Sequence, residues 1–155
     1  MALKKLDVPY VGQKMNFCGP ACLAMAMQYF GKDISQDDIG YEYNAQYFGM
    51  SLKDMVQAAE DRGFRAEKHE CEGIDFLLRN IDEGNPVIVA QPLNMTNPSG
   101  HFRIVIGYDK EDGKIMFHDP EFEANLEFSY RLFDWLWNMA GYKRTALVLK
   151  KDLNP

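Results

Sequence analysis

The chain has no apolar run approaching the roughly 18 residues that would cross a bilayer, so no transmembrane helix is expected. Its start, MALKKLDVPY, carries two lysines with no apolar stretch behind them, unlike a secretory signal. The cytoplasm is the expected location. Basic residues are outnumbered, 17 against 23 acidic, and the formal charge is −6. That balance argues against nucleic-acid binding through a broad basic surface. No repeat, low-complexity tract or long linker interrupts the sequence. GxxxxGK(S/T) and GxGxxG strings are missing, which argues against a nucleotide site. There is no CxxC and no paired-His motif. Cys18, Cys22, His69, Cys71 and His118 are therefore a poor set of metal ligands, and neither metal nor cofactor is expected. Cysteine itself is scarce, with three residues. An odd count in a chain of this size, which needs no staple, reads as three reduced thiols.

What is present suits one domain with a packed core. Of 155 residues, 46% are apolar and 13% aromatic, too much for disorder. Pro20 to Phe30 (PACLAMAMQYF) has Pro at its start and Gly31 after it, the pattern of a helix. It is apolar nearly all round, so it is expected at the centre of the core. Ser35 with Asp38, and Ser51 with Asp54, open two more helices through variants of the capping box, the second ending by Gly63. A fourth is expected over Ile74 to Glu83. After Pro86 the pattern turns β-rich. Val87 to Ala90 is a buried strand. His101 to Tyr108 alternates, with Phe102, Ile104, Ile106 and Tyr108 forming its apolar face. Ile115 to His118 is its hairpin partner. Gln91 to Gly100 reads as a long irregular loop. A last helix spans about Tyr130 to Ala140, and Ala146 to Leu149 closes as a strand. Helices first and antiparallel strands later make an α+β fold, with a helical half facing a small sheet across a cleft.

Cys18 stands beside the start of the apolar helix, in FCGPAC. Unpaired N–H groups and the helix dipole favour an anion there, a setting that makes a thiol a better nucleophile. Cys22 falls inside the helix and reads as a small core residue. A thiolate nucleophile needs a base, and three histidines are on offer. His69 lies in a charged run, EKHEC, and reads as a solvated strand residue. His101 opens the alternating strand beside the loop, on the face of Arg103, Val105 and Gly107. His118 ends the partner strand just before Asp119. By the period of two, His118 and Asp119 point to opposite faces, which favours His101 as base and Asp119 as its orienting carboxylate. Gln13, five residues before Cys18, is placed to donate to an oxyanion with the Cys18 backbone N–H.

The strings VPYVGQKMNFCGPACLAM, GHFRIVIGYD and IMFHDP, in that order, resemble the papain-like cysteine peptidases of the bacteriocin leader-processing family, cysteine peptidase family thirty-nine, and their stand-alone look-alikes. The resemblance spans Val8 to Pro120. It implies a papain-like fold, with a buried central helix packed on a C-terminal antiparallel sheet. It also implies Cys18 as nucleophile, His101 as general base and acid, Asp119 as orienting residue and Gln13 as oxyanion donor. Transporter-fused members usually carry Asp before the catalytic Cys. Phe17 takes that place here, and the sequence has no membrane or ATPase part, so the likeness is to the stand-alone branch.

The expected activity is hydrolysis of a peptide or protein substrate through a thioester acyl-enzyme. An acyltransferase or amidase on the same triad is the alternative within the enzymes. A peptide-binding module that keeps the fold without catalysis is the alternative outside them.

Overall fold

The computed structural model describes residues 2–151. Helix α1 (Cys18–Tyr29) is buried from Gly19 to Met27, as its nearly all-apolar composition requires. Four further helices pack in the first half: α2 (Gln36–Gly40), α3 (Ala45–Phe48), α4 (Leu52–Glu60) and α5 (Asp75–Asp82). Ser35 caps α2 through the full reciprocal box with Asp38. Ser51 caps α4 by accepting from the Asp54 N–H. The Ser–Asp pairs thus fix where these helices begin, because they satisfy N–H groups with no partner inside the helix.

Seven strands form one antiparallel sheet: β1 (Leu3–Lys5), β2 (Phe64–Glu70), β3 (Val87–Pro92), β4 (Gly100–Asp109), β5 (Lys114–Asp119), β6 (Glu123–Ser129) and β7 (Thr145–Lys151). The order is β2-β7-β3-β4-β5-β6, and β1 pairs with the far end of β4. Gly107 makes that last pairing possible. A Cβ there would sit 2.5 Å from the Lys4 carbonyl oxygen. Helix α6 (Tyr130–Trp137) packs on β3, β5 and β6, and Ser129 caps it. Its Phe133 ring meets Phe117 of β5 at a tilt and its own Trp137 edge to face, all three buried in the core. Helix α1 lies against β4.

Three expectations change. The sheet draws in β1, β2 and β6 besides the expected strands, so it is wider than the alternating runs suggested. Strand β4 has no solvated face: every residue from Arg103 to Tyr108 is buried, because helices cover both sides of the sheet. The segment Gln91 to Gly100 is not one long irregular loop. Gln91, Pro92 and Gly100 belong to strands, and the turn between them is tied by Leu93 N–H to the Ser99 carbonyl and Asn94 N–H to the Asn97 carbonyl. The Asn94 side chain accepts from the backbone N–H groups of Thr96 and Asn97, closing an Asx turn.

Candidate active site

Cys18 is the first residue of α1, with Phe17 in the capping position and no side chain accepting from the helix start. The N–H groups of the first turn therefore remain free for a ligand or an anion. The approach to Cys18 is a tight turn. Phe17 N–H bonds the Lys14 carbonyl, and Asn16 takes a left-handed φ of 66° that Asn tolerates. Asn16 also donates from its amide to the Gln46 carbonyl at 2.9 Å, tying the turn to α3. Phe17 is 1% exposed and anchors the turn in the core beside Gly40. An aspartate at this position would be buried there without the apolar contacts that Phe17 makes.

His101 lies at the start of β4 and is 5% exposed. Its Nε2 meets Asp119 Oδ1 at 2.7 Å. Asp119 ends β5 and is 1% exposed. The register pairs Ile104 with His118, which puts Asp119 on the His101 side of the ladder. With Nε2 engaged by the carboxylate, Nδ1 is the ring nitrogen left for Cys18. Burial works against a charged imidazole, but the hydrogen bonds and charges of Asp119 and Cys18 outweigh it, and the His101 pKa stands above its ordinary value. Burial pushes the Asp119 carboxyl up, and the His101 hydrogen bond, with the charges of His101 and Arg103, brings it below the usual range.

A fourth side chain joins this group. Arg103, buried on β4, donates from Nε to Asp119 Oδ2 at 2.8 Å. Alternation along the strand puts Arg103 on the face of His101 but by itself assigns it no role. The signal was there: a charged residue beside Phe102, Ile104, Val105 and Ile106 in one strand needs a buried partner of opposite sign.

Gln13 is held near the site by its backbone N–H, which bonds the Pro120 carbonyl at 2.8 Å. Its side-chain amide donates to the Lys14 carbonyl at 3.2 Å, and its Oε1 is buried without a partner. The Tyr10 hydroxyl donates to the Asp119 carbonyl at 2.8 Å, a second tie between the N-terminal segment and the end of β5. The other candidates lie apart. His118 Nε2 bonds the Val8 carbonyl, and its Nδ1 accepts from Asn125 N–H. His69 sits on β2 at 3.5 Å from Glu67. Cys22 is fully buried in α1, and Cys71 borders a cavity with His69 and Arg79 away from Cys18, His101 and Asp119. All three cysteines are free thiols. No group of three or more His, Cys, Asp or Glu among the described residues is arranged to hold a metal. Among them too, no helix is long and apolar enough to cross a membrane.

The model of the Peptidase_C39 like family matches residues 5–144. The chain belongs to this family. Its match covers every residue of the site just described. No curated protein matches the sequence. Solved structures show the same papain-like α+β fold. A C39-like protein of Bacillus anthracis aligns over 96% of this chain and 98% of its own, with a TM-score of 0.79 at 18% identity. The peptidase domain of Streptococcus ComA, a bifunctional ABC transporter of a quorum-sensing pathway, aligns over 91% and 96%, with a TM-score of 0.71 at 22% identity. A double glycine motif protease from an AMS/PCAT transporter, solved with its leader peptide, aligns over 96% and 94%, with a TM-score of 0.71 at 19% identity. Family and fold together place the chain among the peptidases.

Proposed function

We propose that this member of the family is a cysteine peptidase, with Cys18 as nucleophile, His101 as base and acid, and Asp119 as the group that orients His101. The observation that carries the reading is the 2.7 Å contact between His101 Nε2 and Asp119 Oδ1, buried beside a thiol at a helix start. Cys18 Sγ adds to the substrate carbonyl carbon. As the C–N bond breaks, the His101 imidazolium gives its proton to the leaving amine and a thioester remains. His101 then takes a proton from water, whose oxygen displaces Cys18, and the acid product leaves. The oxyanion of each tetrahedral intermediate is met by backbone N–H at the start of α1 and by the Gln13 amide, which turns from the Lys14 carbonyl toward it. The substrate is a peptide chain, a class supported by the leader peptide bound to the AMS/PCAT relative.

The test is digestion of a peptide library by the wild type and by Cys18→Ala. Cleavage by the wild type alone is expected, with a covalent adduct on Cys18 when an electrophilic peptide is supplied. Equal cleavage by Cys18→Ala would end the reading. Gln13→Ala is expected to lower turnover by about 10²–10³ with substrate binding nearly unchanged.

A further inference from the structure

The Arg103 side chain engages all three of its guanidinium nitrogens inside the protein. Nε donates to Asp119 Oδ2 at 2.8 Å, and Nη1 donates to Gln91 Oε1 and to the Pro92 carbonyl, each at 3.0 Å. Nη2 donates to the Leu93 carbonyl. The guanidinium lies over the Phe117 ring, 5.9 Å from its centroid, and the residue is 2% exposed. Gln91 is in turn fixed by its own amide, which donates to the Phe133 carbonyl of α6 at 2.9 Å. Asp119 Oδ1 meets His101 and also accepts from Glu121 N–H at 3.0 Å, while its Oδ2 receives Arg103. Three donors from three directions thus fix the rotation of one carboxylate.

We infer that Arg103 is a positioning residue for the reaction: it holds Asp119 by Oδ2 so that Oδ1 is presented to His101 Nε2. The inference rests on the proposed triad and deepens it. Lysine cannot take this place. One ammonium reaches a single point, whereas the acceptors of Arg103 lie on β3, on the turn after it and on β5, in the pattern of a planar fork. Arg103, Asp119, His101 and Cys18 also form a row whose signs alternate once the imidazolium–thiolate pair exists. Each charge in the row then has an opposite neighbour, the condition for holding charges away from water. The titratable groups that face His101 are Asp119 from β5 and Cys18 from α1. Those near Asp119 are His101 and Arg103 from β4, Cys22 from α1, and Tyr10 from the N-terminal segment.

The test follows Cys18 alkylation by iodoacetamide from pH 4 to 10, with the labelled site read by mass spectrometry and the folded fraction by circular dichroism. The wild type is expected to alkylate readily at Cys18 at pH 6, and His101→Ala to lose that reactivity. Arg103→Lys and Arg103→Gln are each expected to lose about 10–100-fold in rate at pH 6 per folded molecule, approaching the rate of His101→Ala. A wild-type rate at pH 6 in Arg103→Lys would overturn the inference, because a residue with only a structural role would alter melting and leave that rate alone. Should Arg103→Gln fail to fold, Arg103→Lys decides. A wild-type alkylation rate at pH 6 in His101→Ala would instead overturn the triad itself.

Discussion

His118 and Asp119 are neighbours in the chain, and their side chains leave β5 on opposite faces: Asp119 meets His101 and Arg103, while His118 is locked between the Val8 carbonyl and the Asn125 N–H. Those two bonds make the His118 ring a neutral tautomer with the proton on Nε2. Burial is the main cause that lowers its pKa. His118→Ala is expected to leave Cys18 alkylation and turnover nearly intact and to cost about 1–3 kcal/mol of stability, since the Val8 carbonyl and the Asn125 N–H lose their partner. Denaturant melts beside activity assays check this. Because the folded pKa lies below the unfolded one, the contribution of His118 is present above about pH 6.5 and fades as pH falls through the folded value. The alanine variant should therefore show a flatter loss of stability between neutral and mildly acidic pH than the wild type.

The His101–Asp119 pair of the proposed site is shifted in opposite directions. His101 has a raised pKa, so its contribution to stability is present below about pH 6.5 and is lost as pH rises through the folded value. Asp119 is lowered, so its contribution is present above about pH 3.9 and is lost as pH falls through the folded value. In the proposed mechanism turnover needs the imidazolium as acid, and its alkaline limb should lie above the ordinary histidine value. Asp119→Asn should move that limb to lower pH and slow turnover, because the charge and the hydrogen bond that hold the proton on His101 are both reduced. A pH–rate profile of kcat/KM in the two proteins decides; an unmoved limb would separate Asp119 from His101.

The three thiols should label in a fixed order. Cys18 is half-buried at a helix start, Cys71 is half-buried with its pKa pushed up to about 12 by burial, and Cys22 is fully buried with its pKa pushed well up, burial being the main cause. Brief alkylation near pH 6.5 is expected on Cys18 alone, with Cys71 following in alkali and Cys22 only after unfolding. Site-resolved mass spectrometry at several times checks the order.

Gly40 offers a way to disturb Cys18 from a distance. A Cβ at position 40 would lie 2.4 Å from the ring of Phe17, the residue that precedes Cys18. Gly40→Ala must displace that ring. The expected result is a loss of about 1–3 kcal/mol, and a fall in Cys18 alkylation rate among the molecules that remain folded. A stability loss with an unchanged rate would show that the Phe17 ring moves without carrying the turn.

The turn that leads into His101 is the place to look for specificity. Met95, at its tip, is exposed, and the turn borders an apolar cavity with Phe128, Leu132 and Leu136. Shortening Asn94 to Asn97 is expected to change the set of peptides cleaved more than it changes the melting temperature. An unaltered cleavage profile would remove the turn from the substrate's path.

The sequence by itself determined the local features. Ser35 and Ser51 mark helix starts because a hydroxyl at the cap reaches an N–H three residues on. Alternation along β5 sends His118 and Asp119 apart, and that opposite facing was legible from spacing alone. The order Gln13, Cys18, His101, Asp119 was legible too, with the apolar helix behind Cys18. Tertiary structure decided the rest. Strand β1 is three residues long and carries no alternation of its own; it exists because Gly107 lets the chain lie against β4. Strand β6, EANLEFS, does alternate, yet seven residues of mixed polarity set no partner until β5 supplies an edge. The pairing of β2 with β7 joins segments far apart in the chain, and no local propensity encodes which edges meet. Arg103 is the sharpest case. Its charge was visible and its face was known, but the three acceptors besides Asp119 come from β3 and the turn after it. Only the close packing of β3, β4 and β5 under α6 brings them within hydrogen-bond reach, because contacts between distant segments depend on the whole register rather than on any stretch of sequence.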